Sequence, residues 1–118
     1  MLVCDDVAML RELIRYELEA DERVVVVGEA DNGLDSVRLA RELTPDVVVL
    51  DLAMPGLDGL EAIVQIRETE PGPAIVVHSG FDAETMRDHV LALGADRYVE
   101  KGGDLTELLQ AVREVSAR

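Results

Sequence analysis

The feature that most constrains the fold of this sequence is its alternation of short apolar runs with longer amphipathic segments. The short runs are continuous and rich in β-branched residues, which is typical of strands covered on both faces of a parallel sheet. They lie at residues 2–4, 24–27, 47–50, 74–77 and 98–99. The segments between them repeat apolar residues at the spacing of a helix face. The alternation therefore predicts an α/β fold of (βα)5 type, a doubly wound five-stranded parallel sheet with helices on both faces.

The amphipathic segments differ in the clarity of their apolar stripe. The last stripe is the clearest, and the segment 34–43 is the weakest candidate helix. Asn32-Gly33 and Gly94 supply the turn and stop signals expected between elements. The predicted stripes comprise Leu10, Leu13, Ile14 and Leu18; Leu60, Ile63 and Val64; Met86, Val90 and Leu93; and Leu105, Leu108, Leu109, Val112 and Val115.

The charge balance excludes several classes of partner. The 118 residues include 25 acidic and 11 basic side chains, which gives a net charge of −14. Direct contact with nucleic acid or an anionic membrane needs a basic surface, so neither is expected. A hydrophobic content of 48% excludes a disordered acidic tail. The single cysteine, Cys4, and the absence of a run of about 20 apolar residues predict a cytoplasmic protein without disulfides or membrane spans.

Polar side chains follow the predicted strands, where ligands bind in open α/β sheets. Asp5-Asp6 follow the first strand, Asp51 the third, Ser79 the fourth and Lys101 the fifth. Each acid taken alone could equally be a helix N-cap, but five such positions at one edge indicate a site. Two carboxylates about 4 Å apart repel by about 4 kcal/mol at an effective dielectric constant of about 20. Lys101 and a divalent cation would offset this repulsion, and the oxygen ligands favour Mg²⁺ over zinc or copper.

These residues also indicate a reaction. A carboxylate beside Mg²⁺ and a lysine can attack phosphorus and form an aspartyl phosphate. Asp51 is the best candidate for the nucleophile because it is the single acid after the most apolar strand. His78 and His89 are weaker candidates for a catalytic or metal-binding role, and we expect each to be packed or exposed to solvent. Cys4 is expected to be a buried first-strand residue.

The sequence resembles the receiver domains of two-component response regulators, which have the flavodoxin/CheY-like fold. Asp5-Asp6, "VVVLDLAMPGLDGLEAI" around Asp51, Ser79-Gly80 and Lys101 match the family pattern in order and spacing over essentially the whole chain. The stretch from "VVVVGEADNG" onward resembles the NarL/FixJ-like class, which is often joined to a LuxR-type helix-turn-helix domain. We therefore expect a receiver domain over residues 1–118, either as a stand-alone receiver or as part of a longer regulator.

The resemblance implies a role for each matching position. Asp51 would accept a phosphoryl group from a sensor histidine kinase, and Lys101 would contact that group. Mg²⁺ would bind directly to Asp6, Asp51 and the backbone carbonyl of Ala53, and through water to Asp5. Ser79 would sense the phosphoryl group, Tyr98 would act as the switch aromatic, and small Gly80 would leave the pocket open.

The resemblance also implies the output. Phosphorylation would remodel the face made by the fourth helix, fifth strand and fifth helix, and homodimerisation through that face is expected. DNA would be bound only by a further domain outside these residues, to control transcription. Such a module catalyses its own phosphorylation and dephosphorylation but turns over no other substrate, so it is not classed as an enzyme.

Two departures and two alternatives accompany this interpretation. Gly102-Gly103 stand where the family usually has proline after the lysine, which disfavours a cis bond and predicts a more mobile loop. Only four residues precede the acidic pair, so the first strand is short.

A receiver-like interaction module that works without phosphorylation is the first alternative. A small Mg²⁺-dependent phosphatase is the second, although the sequence after Asp51 lacks the second acid of haloacid-dehalogenase-type phosphatases.

Overall fold

Strands and helices alternate along the part of the chain that the computed structural model describes, residues 1–69 and 72–116. The elements are β1 (Leu2–Cys4), α1 (Ala8–Glu19), β2 (Gly28–Ala30), α2 (Gly33–Leu43), β3 (Val47–Leu50), α3 (Gly59–Arg67), β4 (Ala74–Ser79), α4 (Ala83–Leu93), β5 (Arg97–Glu100) and α5 (Thr106–Ser116). The five strands are parallel and pair in the order β2-β1-β3-β4-β5. The predicted five-stranded, doubly wound α/β fold is confirmed.

The two faces of the sheet carry separate apolar layers, as β3 illustrates. Val48 and Leu50 pack with residues of α2, α3 and α4, whereas Val47 and Val49 pack with residues of α1 and α5. All four side chains are at most 1% exposed. A fully buried valine or leucine contributes about 1.5–3 kcal/mol relative to an exposed one. Burial on both faces explains why this run is continuously apolar.

The second strand begins later than the sequence predicted. We expected a strand at residues 24–27, but β2 comprises Gly28–Ala30. The valine run lies beside the residue that precedes β1, since the Val27 N–H donates to the Met1 carbonyl at 2.8 Å. Val25 is 63% exposed and Val27 is 48% exposed. The prediction of a strand covered on both faces was wrong here because β2 is an edge strand that pairs with β1 alone.

The helices follow the predicted stripes with one exception. The weakest candidate, 34–43, is confirmed as α2, whose first turn is capped by the Asn32 side chain accepting from the Asp35 N–H at 2.8 Å. In α1, Ile14 and Leu18 are buried as expected. Leu13 is 48% exposed, so its assignment to the buried stripe was wrong.

None of the helices in residues 1–69 and 72–116 is long and apolar enough to cross a membrane. The 12 residues of α1 span about 18 Å, well short of the hydrocarbon core of about 30 Å.

Candidate functional site

The candidate site lies where β1, β3, β4 and β5 end at one edge of the sheet. Asp5 directly follows β1, Asp51 follows β3 and Lys101 follows β5, while Ser79 is the last residue of β4. The strands are parallel and in register, which brings these sequence-distant residues to a common edge. Carboxylate oxygens of Asp5, Asp6 and Asp51 lie within 4.8 Å of one another.

Asp51 is held in a fixed position by its own local backbone. Its N–H donates to the Cys4 carbonyl at 3.0 Å, which extends the β1–β3 pairing by one residue. One carboxylate oxygen, Oδ1, accepts from the Ala53 N–H at 3.1 Å. The residue is 2% exposed. Its carboxylate is therefore oriented by the chain that follows β3 and is largely withdrawn from water.

Lys101 joins the two buried carboxylates. Its Nζ lies 2.8 Å from Oδ2 of Asp5 and 3.1 Å from Oδ2 of Asp51. Burial lowers the pKa of the Lys101 ammonium, but the hydrogen bonds and charges of Asp5 and Asp51 outweigh burial and raise it overall. The lysine therefore stays protonated at neutral pH and supplies a fixed positive charge beside Asp51.

The acidic pair after β1 splits into a buried and an exposed side chain. Asp5 is 1% exposed, and its Oδ1 accepts from the Val7 N–H at 2.9 Å. Asp6 is exposed, and one of its carboxylate oxygens lies within 4.8 Å of those of Asp5 and Asp51. The Asp5 backbone carbonyl accepts from Arg11 Nη1 at 2.7 Å, and Arg11 also donates to Glu29 at 3.2 Å.

The sequence analysis did not indicate this role of Arg11, because an arginine on an amphipathic helix ordinarily lies on the solvated face. The side chain is only 19% exposed and fixes the backbone of the acidic pair. The partner, Glu29, is 18 residues away along the chain, so no local motif could have indicated the contact.

The charges of the site favour a divalent cation. Among the described residues, three carboxylates share one ammonium, so two negative charges remain uncompensated. At an effective dielectric constant of about 20, each close pair of carboxylates costs about 4 kcal/mol. Hard oxygen donors with one exposed carboxylate suit Mg²⁺, which keeps several waters and binds through one or two carboxylates. The residues present therefore fit a magnesium ion.

Ser79 contributes a buried hydroxyl that is available to a ligand. The residue is fully buried, and within the described part of the chain its Oγ has no hydrogen-bond partner. An unpaired buried hydroxyl costs free energy unless a ligand or water satisfies it. The next residue, Gly80, leaves open space where a side chain would stand, since no heavy atom lies within 4 Å of its Cβ position. The site thus combines the unpartnered Ser79 hydroxyl with open space next to Gly80.

Tyr98 is buried and tied to the start of the α4 region. It is 5% exposed, and its hydroxyl donates a short hydrogen bond to the Phe81 carbonyl. Burial raises the pKa of the Tyr98 phenol, and the nearby Ser79 hydroxyl partly offsets this. The side chain that the family resemblance implies to be the switch aromatic is therefore turned inward in this structure.

Glycine allows the conformation of the loop after Lys101. Gly102 has φ +150° and Gly103 has φ +66°, values that L side chains rarely adopt. Proline, fixed near φ −65°, could not adopt the Gly102 conformation. The departure from the family pattern thus changes the backbone path and removes no chemical group from the site.

His78 directly precedes Ser79 on β4, so the two side chains point to opposite faces of the sheet. His78 is 5% exposed, as expected for a packed side chain, and it lines a cleft of about 420 Å³ with Lys101 and the Gly102-Gly103 loop. Burial and then the Lys101 charge lower the His78 pKa, against weaker opposing effects of Asp5 and Asp51. Its imidazole is therefore neutral at pH 7.

The side chains of Cys4 and His89 are not among the acidic, lysine and hydroxyl groups that form the site. Cys4 is a buried free cysteine, as predicted, and burial raises the pKa of its thiol to about 12. His89 is exposed on α4.

Comparison with known proteins identifies a match over nearly the whole chain. The family model described as the response regulator receiver domain matches residues 1–113. The chain is 40% identical over 117 residues to the response regulator GacA of Pseudomonas aeruginosa, which covers 99% of this chain and 55% of GacA. The chain thus spans about half the length of this curated relative.

Solved structures agree with this match. The signal receiver domain of the response regulator NarL from Mycobacterium tuberculosis has a TM-score of 0.89 and 32% identity, with coverage of 99% of this chain and 95% of that one. RcsB from Salmonella enterica, solved bound to promoter rprA with the phosphomimetic BeF3−, has a TM-score of 0.85 and 30% identity, with coverage of 95% and 64%.

Proposed function

Because the chain belongs to the response regulator receiver domain family, we propose that it accepts a phosphoryl group on Asp51 from a sensor histidine kinase in a Mg²⁺-dependent reaction. The observation that carries this proposal is the contact of Lys101 Nζ with Asp51 Oδ2 at 3.1 Å inside a cluster of three acids. That arrangement leaves two negative charges for a divalent cation and places a cation beside the nucleophile.

The reaction follows from the positions of the side chains. A carboxylate oxygen of Asp51 forms the new O–P bond as the N–P bond of the donor phosphohistidine breaks, and the leaving imidazole keeps the bonding electron pair. The Ala53 N–H, 3.1 Å from Oδ1, keeps the carboxylate in one orientation. Lys101 neutralises charge on the transferring oxygens.

Mg²⁺ would be held by Asp6, Asp51 and the backbone carbonyl of Ala53, with Asp5 acting through water, and when bound it would withdraw charge from the phosphoryl oxygens. The exposure of Asp6 supports a role at the mouth of the site. The burial of Asp5, whose two carboxylate oxygens already accept from the Val7 N–H and from Lys101 Nζ, supports an indirect role for that carboxylate.

The response to phosphorylation would use Ser79 and Tyr98. The unpartnered Ser79 hydroxyl would donate to a phosphoryl oxygen, and Gly80 would leave space for the group. Tyr98 is already buried, and phosphorylation would stabilise it in that position. The buried Tyr98 would in turn determine the conformation of the surface formed by α4, β5 and α5. We expect a second copy of the chain to bind this face after phosphorylation.

The wider function extends the proposal to a longer protein. The match with about half of GacA supports a receiver domain over residues 1–118 joined to an output domain, as the NarL/FixJ-like resemblance implies. RcsB was solved on promoter DNA, which supports DNA binding by such an output domain and control of transcription. The receiver itself would be a cytoplasmic signalling module that turns over no substrate besides its own phosphoryl group.

Phosphorylation by a small donor tests the proposal. The chain is incubated with acetyl phosphate and Mg²⁺, and intact mass is followed with time. We expect a single phosphoryl adduct that needs Mg²⁺ and is absent in Asp51→Asn. If the native chain and Asp51→Asn gain the same mass, or none, under all conditions, the phosphorylation-independent interaction module becomes the better account.

A further inference from the structure

We propose that Glu100 is a positioning residue that fastens the first turn of α4 to the end of β5 and thereby favours the arrangement in which Tyr98 is buried. The bond between the Glu100 carboxylate and the Ala83 N–H is called the Glu100 clasp below. Its link to phosphorylation rests on the function proposed above, whereas its existence as a contact does not.

The clasp starts at the strand pair that carries the sensing hydroxyl. Glu100 is the register partner of Ser79 in the β4–β5 ladder. The next residue, Lys101, donates its N–H to the Ser79 carbonyl at 2.7 Å. Glu100 is therefore fixed between the residue that would sense the phosphoryl group and the lysine that would contact it.

The clasp ends on the exposed N–H groups that begin α4. Ala83 N donates to Oε1 of Glu100 at 2.9 Å. The next N–H, of Glu84, is satisfied locally by the side chain of the cap residue Asp82 at 2.9 Å. The first N–H groups of a helix lack intrahelical acceptors and carry partial positive charge, so a carboxylate from another element is stabilising there.

Tyr98 and Glu100 together make a two-point attachment. They are two residues apart on β5 and hold two backbone groups that are two residues apart on the way into α4. The Tyr98 hydroxyl donates to the Phe81 carbonyl, and Glu100 accepts from the Ala83 N–H. A shift of the chain between Phe81 and Ala83 must therefore strain or break both bonds, which couples the burial of Tyr98 to the clasp.

Most of α4 is exposed or half-buried, so the contacts of its first turn contribute to holding the helix in position. Val90 is the buried residue of this 11-residue helix, and most of the others are exposed or half-buried. Ala83, Met86 and Leu93 pack half-buried against the core, and contacts at the ends of α4 add to this limited buried surface. The clasp is one of those contacts, since it joins α4 directly to β5.

Two matched variants and two measurements test the proposal. Glu100→Ala removes the acceptor, and Glu100→Gln keeps an acceptor oxygen without the charge. Glu84→Ala is the control because it removes a carboxylate from the same helix turn, while the bond to Glu100 is made by the Ala83 N–H. The first measurement is amide hydrogen exchange at Ala83 in the chain without phosphoryl mimic. The second is the concentration of beryllofluoride, with Mg²⁺, that half-saturates the site.

We expect faster exchange at Ala83 in Glu100→Ala, a smaller effect in Glu100→Gln and none in Glu84→Ala. Beryllofluoride binding should be roughly two- to fivefold weaker in Glu100→Ala than in Glu84→Ala, the range for a carboxylate at a helix N-terminus. Unchanged exchange in Glu100→Ala would overturn the clasp itself. Faster exchange with unchanged beryllofluoride binding would overturn its link to the site. Failure of the native chain to bind beryllofluoride would overturn the proposed function. Faster exchange at Ala83 in Glu100→Ala than in the native chain would still establish the contact.

Discussion

The Nζ of Lys101 lies 2.8 Å from Oδ2 of Asp5, although the two residues stand at opposite ends of the chain. The strands that they follow, β5 and β1, are separated in the sheet by β3 and β4. Neighbouring strands lie about 4.8 Å apart, so these strand ends are about 14 Å distant. The side chains of Lys101 and Asp5 extend toward each other across this gap and meet beside Asp51, which follows β3. A single cation thus neutralises part of the charge of carboxylates that follow two different strands.

Removing that cation should destabilise the fold and make it depend on Mg²⁺. We expect Lys101→Met to lower the free energy of unfolding by about 2 kcal/mol, because Asp5 and Asp51 would remain buried without their partner. Millimolar Mg²⁺ should restore part of this loss. Urea unfolding with and without Mg²⁺ measures both effects.

Arg23→Met is the matched control, since the Arg23 side chain is 84% exposed and, within the described part of the chain, forms an ion pair with Asp21. It should change stability by less than about 0.5 kcal/mol and show no Mg²⁺ effect beyond that of the native chain. Equal losses in the two variants would argue against a special role for Lys101.

His78 should titrate below the ordinary range for histidine. Burial and the charge of Lys101 lower its pKa, so its imidazole NMR signal should have a midpoint below about 6.5. Because the folded state disfavours the proton, the related stability is fully present above pH 6.5 and is lost as pH falls through that value toward the folded pKa.

Two variants check the His78 prediction. His78→Gln assigns the signal and should flatten part of the stability decrease between pH 7 and pH 5. Lys101→Met should raise the His78 midpoint, because it removes a positive charge that disfavours the imidazolium. A midpoint unaffected by Lys101→Met would show that the two groups are not coupled.

Gly59 should tolerate no larger side chain. A Cβ at this position would lie 2.6 Å from the backbone of Leu52, the residue after Asp51. Gly59→Ala should therefore cost about 1–3 kcal/mol of stability, as overpacking does elsewhere. Gly80→Ala is the comparison, since its Cβ would meet nothing within 4 Å. Thermal unfolding of both variants would refute the packing argument if Gly59→Ala were as stable as Gly80→Ala.

The part of the site that the sequence predicted follows from parallel topology. Continuous apolar runs identified β3 and the strand that ends at Ser79, and the carboxyl ends of parallel strands share an edge. That rule is enough to bring Asp5, Asp51 and Lys101 together. The local apolar pattern did not predict the bounds of β2. As an edge strand, β2 has bounds that depend on which residues pair with its single neighbour, β1, and not on its own apolar run.

The contacts that the sequence did not reveal are long-range bonds between ordinary surface residues. Arg11 on the Asp5 carbonyl and Glu100 on the Ala83 N–H carry no motif. A charged residue on a helix or at a strand end usually faces solvent, and only the packed structure shows which backbone group it meets. Leu13 is the converse case, because its spacing fits the buried stripe but the sheet does not cover it.

The central claim is that Asp51 carries the phosphoryl group, and residue-level mapping tests it most directly. After incubation with acetyl phosphate and Mg²⁺, the chain is treated with borohydride, which reduces an aspartyl phosphate to homoserine, and its peptides are sequenced by mass spectrometry. The account predicts homoserine at Asp51 and at neither Asp5 nor Asp6. Homoserine at Asp5 or Asp6, or none at any aspartate while Mg²⁺ is bound, would contradict it.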